Sequence, residues 1–151
     1  MTPGTYHRVR RWSQAAGAAA ALVVFAYAVL RWKPFRVEIS GGSMAPTLLP
    51  GDWALAVPSG RVRRGRIVVV QHPLRPAFEI VKRVVAGPGD VAPDGRVLGV
   101  EQWWIEGDAQ DASTDSREFG PVHRDSIRAV VWSVYWPPTR RRIVLGPVAR
   151  R

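Results

Sequence analysis

The chain has 151 residues, with 22 Lys plus Arg against 12 Asp plus Glu, and no Cys. That length permits one domain with a real core, and the missing Cys excludes a disulfide framework, a thiolate metal site and a cysteine nucleophile. Hydrophobic residues at 46% and charged residues at 23% exclude a wholly disordered chain.

The net charge of +10 is unevenly placed. Residues 1–36 hold six basic groups and no acid, and residues 140–151 hold five and no acid. The segment 37–139 keeps eleven basic groups against all twelve acids, so it is close to neutral. A nucleic-acid-binding domain carries its charge on a folded face. Here the charge sits in two tails, and nucleic acid is not expected as a partner.

In chain order, residues 1–12 form a basic tail with Arg8, Arg10 and Arg11. Residues 13–32 contain the apolar run Ala15 to Leu30, which with Ser13 and Gln14 gives 18 uncharged residues. A spanning helix uses about 20 residues. Trp12 and Trp32 frame the run, and at roughly 1.5 Å per residue they stand about 30 Å apart, the thickness of a hydrocarbon core. The residues alone admit three readings. These are a transmembrane helix, a signal peptide cleaved near Ala26-Tyr27-Ala28, and a buried Ala-rich helix. Cationic flanks fit the last poorly. Three arginines and the α-amino group before the run, against Arg31, Lys33 and Arg36 after it, tip the N-terminus toward the inside.

From Val37 onward, short runs rich in Val, Ile and Trp alternate with Gly/Pro punctuation. Trp53–Val57, Ile67–Gln71, Phe78–Val85, Trp103–Ile105 and Ile127–Trp136 read as strands. No amphipathic helix of ten or more residues is expected, so the domain at 37–139 should be mainly β, a compact barrel or folded sheet. Trp104 reads as core and Trp53 as a candidate membrane contact. The tail at 140–151 is either attracted to anionic headgroups or a solvated end.

Without Cys, a hydrolytic nucleophile must be Ser or Thr. His7, His72 and His123 lie where no triad is supported and no pair has ligand spacing, so neither a metal nor a cofactor is expected. The acidic loop with Asp108, Asp111 and Asp115 lacks the offsets of a calcium loop. Of the 22 basic residues only Lys33 and Lys82 are Lys. Lys82 lies in the apolar run F-E-I-V-K-R-V-V. Burial there would disfavour the ammonium and make a base near neutral pH, a role Arg cannot take. A Lys on the wet face of a strand fits the same run. Ser43, in S-G-G-S-M-A-P-T-L-L-P-G-D, follows two glycines that permit close backbone approach; an ordinary Gly/Ser loop fits as well.

Taken together, these stretches resemble the type I signal peptidase family of membrane-anchored Ser/Lys proteases. Four blocks match in order. Ser43-Met44-Ala45-Pro46-Thr47-Leu48 with Gly51-Asp52 is similar to the nucleophile block, and Arg64-Gly65-Arg66-Ile67-Val68-Val69 to the strand block. Val81-Lys82-Arg83-Val84-Val85 with Pro88-Gly89-Asp90 is similar to the base block. Gly107-Asp108 with Ser113-Thr114-Asp115-Ser116-Arg117 and Gly120-Pro121-Val122 is similar to the last. The resemblance implies a Ser43 nucleophile, a neutral Lys82 base and Ser113 orienting the Lys82 amine. It also implies structural ion pairs from Asp115 to Arg117 and Arg83. The Ser43 backbone amide and the Gly41 region would form the oxyanion hole.

Gly41 stands where some members carry a Ser hydroxyl, Arg66 where Asp is usual, and Ala109 and Ala112 where polar residues are usual. Only twelve residues separate Asp90 from Trp103, so the large inserted subdomain of some members is absent. In this the chain is similar to minimal bacterial enzymes and mitochondrial inner-membrane processing peptidases. The family also carries a membrane span, which favours that reading of residues 13–32.

The implied activity is removal of signal peptides from exported preproteins after small residues in an Ala-x-Ala pattern. The implied partners are signal peptides and the lipid bilayer. The implied place is the cell membrane, single-pass, with the domain on the outer face, or alternatively the mitochondrial inner membrane. Competing readings are a dedicated maturation protease and a catalytically silent signal-peptide-binding partner. A self-cleaving LexA-type repressor would need a helix-turn-helix where this chain has its apolar run.

Overall fold

The computed structural model describes residues 22–27, 33–58 and 61–144. The chain divides into two units, residues 1–33 and 34–151. In the first, residues 22–27 are helical (α1). The remainder of the predicted span at 13–32 lies outside the described residues. Among the described residues no helix is long and apolar enough to cross a membrane.

The second unit is an antiparallel sheet. Its strands are β1 (Phe35–Glu38), β2 (Trp53–Val57), β3 (Ile67–His72), β4 (Arg75–Ala86), β5 (Gln102–Glu106), β6 (Val122–His123), β7 (Ile127–Trp136) and β8 (Arg142–Ile143). Their order is β1-β2-β7-β3-β4-β5-β6, with β8 on β7. One short helix, α2 (Ser116–Phe119), follows β5. The mainly β reading holds, and β2 and β7 fall on the predicted bounds. β4 begins three residues before its predicted start, because Arg75 pairs with His72 across a tight hairpin.

The continuous valine run of β3 is buried on both faces, as an uninterrupted apolar strand requires. Ile67 and Val69 join one core with Met44, Leu48, Ala129, Val131 and Val144. Val68 and Val70 join a second core with Val84, Ile105, Val122 and Val130. A third, smaller cluster of Ala86, Ala92, Leu98 and Trp104 lies beneath the 87–101 segment. Trp104 is buried at 2% exposure, as read from the sequence, whereas Trp53 is half-buried in β2.

Both predicted edges of the domain move outward. Phe35 and Arg36 already pair with β2. At the other end Arg142 and Ile143 pair with β7, and Val144 is buried with its N–H donating to Trp132 O at 2.8 Å. Residues 140–144 are therefore part of the fold and not a free tail. Short edge strands draw their order from a partner, so their own patterns are weak signals.

Candidate active site

Ser43 sits in a loop, residues 39–52, that is tied at its base. Ile39 N–H donates to Asp52 O at 2.9 Å and Gly51 N–H to Ile39 O at 2.8 Å. Gly51 has φ +87°, a conformation that a residue without Cβ adopts freely. Within the loop, Leu48 N–H donates to Met44 O at 2.8 Å, which puts both side chains on one side of a turn. Both are fully buried in the first core. Ser43 is thus fixed by the burial of its immediate neighbour.

Lys82 approaches from β4, paired with Val68 of β3. It is only 4% exposed, so the wet-face alternative is excluded. Its Nζ donates to Ser43 Oγ at 2.8 Å. Burial pushes the Lys82 amine below its ordinary pKa, the Asp115 charge pulls back upward, and the Arg117 charge pushes down again. The net direction is downward.

Asp115 caps α2 and is wholly buried. It accepts from Gly107 N–H at 2.9 Å, Ser113 Oγ at 2.7 Å, and Arg117 Nε and Nη2 at 2.8 and 2.7 Å. Burial would raise its carboxyl pKa, but these bonds, the Arg117 pair foremost, hold it down at about 2.

Two expected contacts are corrected here. The Ser113 hydroxyl donates to Asp115, and no hydrogen bond joins it to Lys82 among the described residues. A carboxylate two residues away is the stronger acceptor. Arg83 pairs with Asp108, not Asp115, whose oxygens are already filled. Its Nε and Nη2 grip Asp108 at 2.7 and 2.6 Å. The same guanidinium donates to Gly65 O at 2.7 Å and Thr47 Oγ1 at 3.2 Å. One side chain thereby joins all four sequence blocks beside the Ser43–Lys82 pair.

Gly107 stands in the last matching block of the sequence, with no role assigned to it there. A Cβ there would overlap Ser113 Oγ and come within 2.5 Å of the Ser43 carbonyl oxygen. That oxygen also accepts from Ala109 N–H at 3.0 Å. Residues 107–109 therefore cross directly over Ser43, and only Gly fits at the crossing. A side chain at Gly41, by contrast, would meet nothing within 4 Å.

A cleft of about 510 Å³ opens onto Ser43 and Lys82. One wall is β1 with residues 39–44, and the other is Glu79–Lys82 of β4. β5 pairs with β4 only from Arg83 onward, so the outer edge of Glu79–Lys82 has no strand partner among the described residues. The floor carries Phe35, Val37, Val69 and Val81, and the Arg128–Glu79 ion pair lines it as well. The arrangement offers a hydroxyl, a buried amine and two strand edges to an extended chain.

Residues 9–93 match the family model described as signal peptidase, peptidase S26. The chain belongs to the signal peptidase S26 family. Family relatives include mitochondrial inner membrane protease subunit 2 of Mus musculus, 36% identical over 118 residues and covering 68% of this chain and 67% of the relative. Subunit 1 of the mouse protease is 33% identical over 114 residues, covering 67% and 69%. The mitochondrial ATP-independent inner membrane protease subunit 1a of Arabidopsis thaliana is 34% identical over 123 residues, covering 67% and 70%. Family membership makes the chain a protease of the signal peptidase type.

Proposed function

We propose that this chain is a membrane-anchored serine endopeptidase that removes signal peptides after small residues, with Ser43 as nucleophile and Lys82 as neutral general base. The observation that carries the reading is the 2.8 Å contact between a buried amine and a serine hydroxyl. A Ser hydroxyl is a weak nucleophile until a base takes its proton, and a desolvated Lys can do so. An extended substrate would add to the free edge of Glu79–Lys82, opposite β1, and present its scissile carbonyl to Ser43.

In the reaction, Ser43 Oγ bonds to the carbonyl carbon as its proton passes to Lys82 Nζ. The oxyanion takes a hydrogen bond from the Ser43 backbone N–H, which donates to no described residue. Lys82 then returns the proton to the leaving nitrogen as the C–N bond breaks, leaving an acyl-enzyme. Water adds to the ester with Lys82 again accepting the proton. Collapse releases the new carboxylate and restores the Ser43 hydroxyl.

Residues 13–32 are the proposed anchor. Leu22, Val23, Val24 and Phe25 are each about two-thirds exposed on α1, and a helix apolar on all sides suits lipid. The relatives are inner membrane proteases by name, which supports a membrane placement and, of the two weighed, the mitochondrial one.

The test is cleavage of a labelled preprotein by membranes carrying wild type, Ser43→Ala or Lys82→Arg. Both variants should be inactive. Normal activity in either sinks the Ser/Lys reading.

A further inference from the structure

The fold turns part of the basic C-terminal segment into a support for the nucleophile loop. A 3-10 turn at Pro138–Arg140 brings the Arg140 guanidinium to Asp52, 88 positions earlier in the chain. Arg140 Nη2 donates to Asp52 Oδ2 at 3.0 Å, and Nε lies 3.0 Å from Oδ1 as a charge contact outside hydrogen-bond alignment. The Asp52 side chain is 2% exposed and that of Arg140 27%. Asp52 also accepts from Leu49 N–H at 2.9 Å, and its backbone closes the loop against Ile39. Four residues beyond Arg140, Val144 enters the same buried cluster as Met44 and Leu48. The segment after β7 therefore holds the Ser43 loop twice, by charge at its base and by packing beneath its turn.

From this geometry we infer that Arg140 is a positioning residue for Ser43. It acts through Asp52 and touches neither substrate nor the reacting atoms. A carboxylate this buried needs its cation. Without it the Asp52 charge is uncompensated and draws in water or rotates outward. Either movement releases Leu49 N–H and loosens the loop whose geometry sets the distance from Ser43 Oγ to Lys82 Nζ. Displacement of about 1 Å at a nucleophile can cost 10²-fold in rate.

The inference rests on the peptidase reading for its activity readout, so the experiment carries a second readout that does not. Full-length Arg140→Gln, Arg140→Lys, Arg142→Gln, Asp52→Asn and the Arg140→Gln/Asp52→Asn double variant are compared with wild type. Preprotein cleavage and hydrogen exchange at the backbone amides are measured on each. Arg140→Gln should lower kcat by about 10- to 100-fold with KM little changed. It should speed exchange within residues 39–52 while leaving β3 protected. Arg140→Lys should restore much of the loss. Arg142→Gln, which removes the same charge from an exposed neighbour, should behave as wild type. The double variant removes both charges and should do no worse than Arg140→Gln alone, since both changes break one contact.

Equal exchange of the 39–52 loop in Arg140→Gln and wild type overturns the inference. So does a matching loss in Arg142→Gln, or exchange that rises equally in β3. An inactive wild type defeats the peptidase reading instead, and the exchange readout still decides the role of Arg140.

Discussion

The two segments that meet at the candidate site are held by different forces. The 39–52 loop is anchored mainly by packing, with Met44 and Leu48 at 1% and 0% exposure in a valine-lined core. The 107–117 segment contributes no side chain to any of the buried apolar clusters. It is ordered by two carboxylates: Asp115, which gathers Gly107, Ser113 and Arg117, and Asp108, which Arg83 grips. Packing is insensitive to pH and fixes where an atom lies. Charge fixes less of the position but reaches across to set how tightly Lys82 holds its proton. The site thus divides the work between a serine placed by packing and a lysine adjusted by charge.

The largest break in that division removes Lys82, the proposed base. Lys82→Met should lower preprotein cleavage by about 10³-fold or more, while a urea titration should show no loss of stability. Burial has lowered the Lys82 pKa, so charging it costs the fold at pH values below the folded pKa, and that cost disappears above 10.5. Next comes the crossing point of the two segments. Gly107→Ala forces Ser113 and the Ser43 carbonyl apart, and kcat should fall about 10²-fold.

Within the packed segment, Met44→Ala should cost about 2–5 kcal/mol in the same urea titration, at any pH where the protein is folded. Within the charged segment, the loss should depend on pH. The Asp115 carboxyl sits at about 2 against 3.8 unfolded. It therefore contributes about 2 kcal/mol above pH 3.8, lost as pH falls toward 2. Asp115→Asn should remove that acid dependence. The smallest and sharpest effects are on the pH profile of kcat/KM. Asp115→Asn removes the charge that raises the Lys82 pKa, so its acid limb should move to lower pH. Arg117→Gln removes a charge that lowers it, and its limb should move to higher pH. Limbs that move together would break the comparison.

The same contrast explains what could be read from sequence. β2, β3 and β7 were legible because Val, Ile and Trp runs between turn residues announce themselves locally. Ser43 and Lys82 were singled out through a family resemblance, and their meeting across 39 positions is a property of the fold. Hydrogen-bond partners were legible only in part: Asp115 with Arg117 was expected and is present, whereas the partners of Arg83 and Ser113 were not. Arg83 had two acids within the last block to choose between, and the choice of Asp108 follows from Asp115 being filled by Arg117. Gly107 was visible in the last block but its role was not, since the crowding around it comes from residues 43 and 113. Arg140 looked like one of several tail arginines until the 3-10 turn after β7 brought it back to Asp52.

The strand edges that flank the cleft, open among the described residues, also bear on contact between copies of the chain. Unpaired strands are templates for self-association, and a second molecule's β1 or β4 would fit the opening as readily as a substrate. Arg36 and Glu38 on one edge, with Glu79 on the other, are exposed charges along these borders. Charged side chains on a strand edge discourage pairing with a second copy, and the apolar floor between the two borders stays open. In this fold the same few side chains guard the strand edges and frame the cleft.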